Sequence, residues 1–276
     1  MKNIWVITKY TIREALSKKI ILTFFGVSTF MLLVFSIIFG SQSIQDLMPL
    51  VKINGQQLDD SFPILDKIID FFKIATIVPI FGVGIFLSIF SVSSIIPNLV
   101  EKGNIDLFLS KPISRTQLIL GKFNGGVLVV LANIAYAVGG FWILLGIKFG
   151  YWDPKFLMTI FTITFTFSVL YSLIILVGIL TRSSILAMMI SYLIFFIFSP
   201  LLLAREGLYL LSDSKFYQYF IDGIYYIVPK TAELANITRL FAQGEPITSW
   251  QPVLTSAAFM ILTLIWSIFT FNKKDY

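Results

Sequence analysis

The segment Glu101–Lys122, EKGNIDLFLSKPISRTQLILGK, carries most of the charge in a long and otherwise apolar part of the chain. An acid, a lysine and a glycine open it, the amphipathic run Ile105–Leu109 follows, and Ser-Lys-Pro precedes a second helix start. Such a mixture of ion-pairing and apolar side chains suits the docking of a partner protein. A solvated loop whose lysines contact lipid phosphates is the alternative, and the pattern alone leaves both open.

Local signals divide this segment, which we term the elbow, into two short helices. Asn104 is placed to cap a helix over Ile105–Leu109, and Pro112 ends it. Ser114 and Gln117 have the spacing of a capping box, which predicts a second helix that continues into the next apolar span. The cations of the elbow that face the cytoplasm or the headgroups are Lys111, Arg115 and Lys122.

The composition places the chain in a membrane and excludes several kinds of chemistry. Of the 276 residues, 57% are hydrophobic and only 13% are charged, whereas soluble domains carry about 25% charged residues. The chain has no cysteine and no histidine, which excludes disulfides, thiolate or imidazole metal sites, and catalytic triads that need either residue. No HExxH or GxSxG motif is present. We therefore expect no catalytic residues, no metal, no cofactor and no nucleic-acid partner.

Hydropathy predicts an all-α polytopic protein with six transmembrane helices in one domain, residues 1–276. Each apolar run approaches the roughly 20 residues that a bilayer requires. The spans are 20–40, 74–97, 125–147, 156–180, 185–203 and 253–271. None of these runs contains Asp, Glu, Lys or Arg, and this argues against a proton-coupled or ion-coupled carrier.

Charge predicts the orientation. With six spans both termini lie on one side, together with the elbow and residues 181–184, and this side holds 12 Lys and Arg against 4 acids. The opposite side holds 9 against 11. The positive-inside rule therefore places both termini and the elbow in the cytoplasm.

The first nineteen residues have the pattern of an interfacial helix. Its apolar face comprises Ile4, Trp5, Ile12, Ala15 and Leu16, and its basic edge comprises Lys2, Lys9 and Arg13. Such a helix lies in the headgroup layer with its cations towards the phosphates. The alternative is a basic flank that only fixes the orientation of the first span.

Small and hydroxylic residues recur at helical spacing inside the spans. The stripes are Gly84, Ser88 and Ser91; Asn133, Tyr136 and Gly140; and Thr159, Thr162 and Thr166. Helix packing is the favoured interpretation, since small residues allow close approach and hydroxyls bond between helices. The sharper hypothesis is a substrate path that includes Asn133, Tyr136, Ser88 and Thr162.

Two longer loops lie on the predicted outer side. The first, 41–73, is acidic but lacks the spacing of a calcium loop. The second, 204–252, contains the aromatic stretches Phe216–Phe220 and Tyr225–Pro229, which are too short to span a membrane. These stretches predict interfacial or re-entrant segments before the last span.

The elbow resembles the cytoplasmic loop between the second and third spans of ABC-2 type permeases, the membrane subunits of one class of ABC transporters. Members read as an acid, a glycine, an apolar run, Ser-Lys-Pro-Ile-Ser-Arg and a later Gly-Lys. In this chain the matching residues are Glu101, Gly103, Asp106, Leu107, Ser110, Pro112, Arg115 and Lys122, with Lys111, Ile113, Ser114 and Gly121 between them. The overall layout also resembles that family, and is most similar to its NosY-like single-chain permeases.

The resemblance implies a permease subunit, an exporter in the cell inner membrane, that pairs with a second permease copy, identical or homologous. Its elbow would bind a cytoplasmic ATP-binding cassette subunit. The chain has no GxxxxGK[ST] phosphate loop, so any ATPase belongs to another chain and the protein itself is not an enzyme. The alternatives are an ATPase-linked membrane anchor or signalling component without transport, and a channel or secondary carrier.

Overall fold

The computed structural model describes residues 2–17, 19–41, 64–93, 95, 113–210 and 214–273, and these contain helices and no strand. The α-helices in chain order are α1 Lys2–Ser17, α2 Lys19–Ser41, α3 Ile64–Val92, α4 Arg115–Phe149, α5 Met158–Thr181, α6 Ser184–Leu193, α7 Ser199–Leu203, α8 Arg205–Tyr209, α9 Lys215–Ile227, α10 Thr231–Gln243 and α11 Gln251–Lys273. A 3₁₀ turn, Pro154–Leu157, precedes α5, and a π-helical turn, Ile194–Phe198, joins α6 to α7. Helices suit a chain this apolar, because each one satisfies its own backbone hydrogen bonds in lipid.

Five helical segments are long and apolar enough to cross a bilayer, and a sixth span is reached if α1 and α2 are counted as one bent pair. The five are Asp66–Val92, Arg115–Phe149, Pro154–Thr181, Ser184–Leu203 and Gln251–Lys273. The parts of α1 and α2 over Asn3–Ser17 and Leu22–Ile37 are inclined at 68° to each other. The prediction of an all-α polytopic membrane protein is therefore confirmed.

Helix α5 forms the centre of the bundle. Of its most apolar stretch 89% is buried, against 17% for α11, and it packs against α3, α4, α6, α10 and α11. Hydroxyl groups reinforce these contacts: Ser172 on α5 lies 2.7 Å from Thr263 on α11. Such hydrogen bonds between helices contribute about 0.6 kcal/mol each in a membrane.

Helix α3 begins well before the predicted span. It starts at Ile64 rather than near residue 74, so Asp70 and Lys73, which the sequence analysis assigns to the outer loop 41–73, lie in a span helix. Lys73 is tolerated there because its side chain, 2% exposed, donates to Asp70 at 2.9 Å and to the Tyr151 hydroxyl at 2.7 Å. Hydropathy counts a lysine as polar and does not register such pairing.

The two ends of the bundle differ in content. The α1 end carries α1, the start of α4 and the end of α11, whereas the α10 end carries the 150–153 turn and helices α8–α10. Helix α9 has an exposed apolar face that includes Phe216, Tyr219 and Phe220, and α10 packs against α3 and α5. Helix α9 contains Phe216–Phe220 and most of the second predicted aromatic stretch, Tyr225–Pro229. The depth of α9 and α10 in the bilayer stays a prediction.

Candidate functional site: the α1–α4 junction

Helix α4 begins with the predicted capping box. The Ser114 hydroxyl accepts from the Gln117 amide at 3.2 Å, and the Gln117 side chain accepts from the Ser114 amide at 3.3 Å. From Arg115 the helix runs without interruption for 35 residues to Phe149. At 1.5 Å per residue it is about 52 Å long, well beyond the roughly 30 Å of a hydrocarbon core. The second half of the elbow and the third span are therefore one rigid helix.

Two glycines let α1 lie directly on the first turns of α4. A Cβ added at Gly121 would sit 2.6 Å from the Ile7 Cβ, and one added at Gly125 would sit 2.5 Å from the Thr11 Cβ. Real Cβ atoms do not approach so closely. The Thr8 hydroxyl also donates to the Gly121 carbonyl at 3.3 Å. This is the small-xxx-small geometry that brings two helix backbones together in membranes.

A buried ion pair closes the junction. The Lys122 ammonium donates to the Glu14 carboxylate at 2.6 Å, and the two side chains are 2% and 23% exposed. The ammonium also lies 5.3 Å from the centroid of the Tyr10 ring, a cation–π contact. Removal of one member of such a pair is costly, since the remaining charge stays out of water.

The start of α4 is tied to two further helices. Arg115 Nη1 donates to the carbonyl oxygens of Phe271 at 2.8 Å and Asn272 at 3.3 Å, which belong to the last turn of α11. Arginine is well placed there, because a helix C-terminus carries partial negative charge. On α5, Tyr171 fills the space beside Gly126, where an added Cβ would lie 2.6 Å from its ring. A displacement of the α4 start would thus act on α1, α5 and α11.

The structure places only part of the predicted elbow. Arg115 and Lys122 lie in the junction, whereas Glu101, Gly103, Asp106, Leu107, Ser110 and Pro112 lie outside the described residues. The sequence reading missed Glu14, Gly125 and Thr11. The signal that could have found them is the pair of glycines four residues apart at the start of α4, facing a helix that contains threonines.

The buried face of α1 differs from the predicted apolar face. Ile7, Thr8, Thr11 and Ala15 are buried, whereas Trp5 is 65% exposed. Hydropathy overlooks the threonines, yet the Thr11 hydroxyl donates to the Ile7 carbonyl at 2.9 Å and so leaves its methyl group for packing. Lys9 and Arg13 are exposed, as are the apolar side chains Trp5, Val6, Tyr10 and Leu16. The interfacial position of α1 stays a prediction.

The stripe of α4 that includes Asn133 and Tyr136 packs against α2. Ser28 donates to the Asn133 carbonyl oxygen at 3.0 Å, and the Tyr136 hydroxyl lies 3.0 Å from that of Thr29. Gly140, in the same stripe, packs closely against α2, because an added Cβ would lie 2.6 Å from the Leu32 side chain. Asn133 is fully buried, and its amide nitrogen has no hydrogen-bond partner among the described residues.

The other two residues of the hypothetical substrate path, Ser88 and Thr162, make hydrogen bonds in different parts of the bundle. Ser88 is buried on α3 and donates to the Gly84 carbonyl at 2.6 Å. Thr162 on α5 accepts from the Thr238 hydroxyl of α10 at 2.8 Å. Gly84 and Ser28 line one narrow apolar cleft between α2, α3 and α4, with about 20 Å³ of space for water-sized molecules. These contacts accord with packing, and the path stays a prediction.

A polar network ties α3, the 150–153 turn and α10 at the other end. The Tyr151 hydroxyl accepts from Lys73 and donates to the Asp153 carboxylate at 2.9 Å. Burial raises the pKa of Tyr151, and the hydrogen bond to Asp153 acts in the same direction. The hydroxyl therefore stays protonated as a donor. Lys155 then reaches the Gly244 carbonyl at 3.2 Å.

Comparison with known proteins identifies the family. In the described ranges no three acidic residues are grouped so that they could hold a metal ion. No curated protein shows significant similarity to the chain. The family model for the ABC-2 family transporter protein matches residues 5–276. The chain therefore belongs to the ABC-2 transporter family, as a multi-pass permease subunit of an ABC transporter.

Proposed function

We propose that this permease works as an exporter, paired with a second permease copy, and that a separate cytoplasmic ATP-binding subunit drives it through the elbow. Membership in the family implies association with an ATP-binding subunit. The direction of transport, the pairing and the docking of that subunit at Glu101–Lys122 are parts of the proposal. Its substrate is not specified by any feature of the chain, and the NosY-like subtype stays a prediction.

The observation that carries the proposal is the continuity of α4. The elbow leads through Ser114 into a helix about 52 Å long that crosses the bundle. A force applied to the elbow would therefore act on a continuous helix and displace it as a unit. The start of α4 packs against α1 at Gly121 and Gly125, and the Lys122–Glu14 ion pair joins the two helices.

The orientation in the proposal rests on charge. The α1 end of the bundle carries the start of α4 and the basic first helix, and a cytoplasmic location satisfies the positive-inside rule. Both termini and the elbow then face the compartment that contains ATP. The α10 end, with its aromatic helix α9, faces outward.

The elbow is tested by substitution at its predicted docking residues. Gly103→Pro and Glu101→Lys should uncouple ATP hydrolysis from transport while the protein still inserts in the membrane. Glu206→Lys, an exposed acid at the α10 end, is the matched control and should leave coupling intact. If the ATP-binding subunit copurifies and hydrolyses ATP normally with the elbow variants, the elbow is not the coupling element.

A flux measurement distinguishes the exporter from the main alternative, an ATPase-linked anchor without transport. The complex in inside-out vesicles should show ATP-dependent accumulation of a compound, measured by untargeted mass spectrometry of the vesicle contents. An anchor would show ATP hydrolysis without accumulation. Failure to copurify any ATP-binding subunit under mild detergent would argue for the channel or carrier instead.

The substrate-path hypothesis is tested by a substitution at Asn133. Asn133→Leu should alter transport and leave the amount of assembled complex unchanged if the Asn133 amide contacts substrate. Ser172→Ala, which removes a packing hydroxyl between α5 and α11, is the control. Normal transport by the Asn133 variant would leave that stripe with a packing role only.

A further inference from the structure

Lys230 lies immediately before α10 with a buried side chain, 3% exposed. Its ammonium lies 3.7 Å from the centroid of the Tyr225 ring and 5.0 Å from that of Tyr226. Within the described part of the chain, the ammonium has no hydrogen-bond partner and no carboxylate within 4.0 Å. Burial of a charge without a partner is costly, so this position calls for an anionic group.

The ammonium lines a small pocket beside the N-terminus of α10. Tyr225, Val228, Pro229 and Glu233 form other parts of the wall. The free space for water-sized molecules is about 10 Å³, which admits one oxygen-sized group. The neighbouring Thr231 hydroxyl is also buried and has no hydrogen-bond partner among the described residues. The N-terminus of α10 adds its partial positive charge.

Two hydrogen bonds fix the position of the pocket relative to two span helices. The Lys230 amide donates to Ser256 at 3.2 Å, and the Ala232 amide donates to Ser199 at 2.9 Å. Ser256 and Ser199 each lie about five residues inside the α10 end of a span, roughly 7 Å along the helix axis. Because spans of this length match the roughly 30 Å of the hydrocarbon core, that level is the outer part of the core, from which a lysine side chain can reach the headgroup phosphates.

Among the described residues, the charged groups nearest to Lys230 have other partners. Arg205 lies 3.8 Å from the Tyr225 ring centroid and is 3.8 Å from the Asp222 carboxylate. The Glu233 carboxylate accepts from the Tyr225 hydroxyl. Burial lowers the pKa of Lys230; Glu233 opposes this shift, and Arg205 adds to it. A bound anion would hold the ammonium in its charged form.

We propose that the Lys230 pocket binds the phosphate group of a phospholipid headgroup, or free phosphate, with the ammonium as its charged donor. One phosphate oxygen enters the pocket against Lys230, and the rest of the group stays at the mouth. The exposed rings of Phe216, Tyr219, Phe220 and Tyr226 provide the membrane-facing surface expected beside such a lipid. The site does not depend on the exporter proposal, since it concerns lipid binding and not flux.

The test is native mass spectrometry of the full-length, delipidated protein titrated with phosphatidylglycerol, with diacylglycerol of the same chains, and with inorganic phosphate. Wild type should bind phosphatidylglycerol more tightly than diacylglycerol. Lys230→Met should weaken this binding about tenfold, as expected for the loss of a charged hydrogen bond. Lys230→Arg should retain most of the affinity. Lys215→Met removes an exposed cation at the same end and should change nothing.

Competition by inorganic phosphate identifies the source: displacement of lipid shows that phosphate alone suffices, and its failure shows that the lipid is required. Glu233→Gln keeps the side-chain shape, removes a neighbouring negative charge and should raise the affinity severalfold, which gives an answer even if Lys230→Met misfolds. Equal binding of diacylglycerol, wild-type affinity in Lys230→Met, or weaker binding in Glu233→Gln would each overturn the proposal.

Discussion

Two lysines, each almost fully buried, sit at opposite ends of the bundle in opposite circumstances. At the α1 end Lys122 donates to Glu14 at 2.6 Å between two closely packed helices. At the α10 end Lys230 rests on the Tyr225 ring without a hydrogen-bond acceptor among the described residues. The exposed fractions, 2% and 3%, do not distinguish them. The difference lies in the partner that each one has.

That contrast separates two uses of a buried charge. A paired ammonium fixes the register of two helices, because either helix can slide only by breaking the pair. In our proposal, an ammonium without a carboxylate partner among the described residues gains its counter-charge from a ligand. We therefore regard the α1–α4 junction as a rigid mechanical element and the Lys230 pocket as a binding site.

The largest expected effect comes from breaking the pair at its exposed member. Glu14→Ala leaves Lys122 buried without its carboxylate and should destabilise the folded protein by about 3 kcal/mol. Lys122→Met should cost less, because Glu14 is 23% exposed and can be hydrated. Apparent melting temperatures in one detergent test the order of the two variants. A smaller loss in Glu14→Ala than in Lys122→Met would contradict this account of the pair.

A glycine substitution should have the next largest effect. Alanine at Gly125 forces α1 away, because its Cβ would meet Thr11 at 2.5 Å and the Thr8 carbonyl at 3.1 Å. We expect a loss of about 1–3 kcal/mol. Gly139→Ala, where nothing lies within 4 Å, is the matched control and should be neutral or slightly stabilising. If the melting temperatures of the Gly125→Ala and Gly139→Ala variants fall equally, the close approach of α1 to α4 does not explain the loss of stability.

Substitution of Lys230 should have the smallest effect on stability. In lipid-free detergent Lys230→Met should leave the melting temperature unchanged or raise it slightly, because an uncompensated buried charge is replaced by an apolar chain of similar length. Lys122→Met should lower it under the same conditions. Equal losses would mean that Lys230 has a partner within the folded protein, and the binding site would lose its basis.

Much of the fold could be predicted from local sequence. Long apolar runs identify the span helices, and the Ser114–Gln117 pair predicts the start of α4. Both signals are local, so neither requires knowledge of the tertiary structure. The extension of α3 back to Ile64 was missed, since hydropathy treats Lys73 as a boundary although Asp70 and Tyr151 satisfy it inside the bundle.

The partner of Lys122 and the burial of Lys230 could not be predicted, for a different reason in each case. The partner of Lys122 lies 108 residues away, and only the packing of α1 on Gly121 and Gly125 brings Glu14 to it. Lys230 follows a proline in an aromatic stretch, where a lysine ordinarily reaches towards water. Its burial results from tertiary contacts: the Tyr225 and Tyr226 rings of α9 lie against the ammonium, and Ser199 and Leu202 of α7 line the same pocket.

We expect α1 and the start of α4 to move as one body when ATP is hydrolysed. The chain has no cysteine, so spin labels can be attached at introduced cysteines alone. In the complex with its ATP-binding subunit, the distance between labels at the exposed positions Lys9 and Asn124 should stay the same between the nucleotide-free and vanadate-trapped states. The distance from Lys9 to Lys215, at the α10 end, should change. A change in the first distance with a constant second distance would contradict the account.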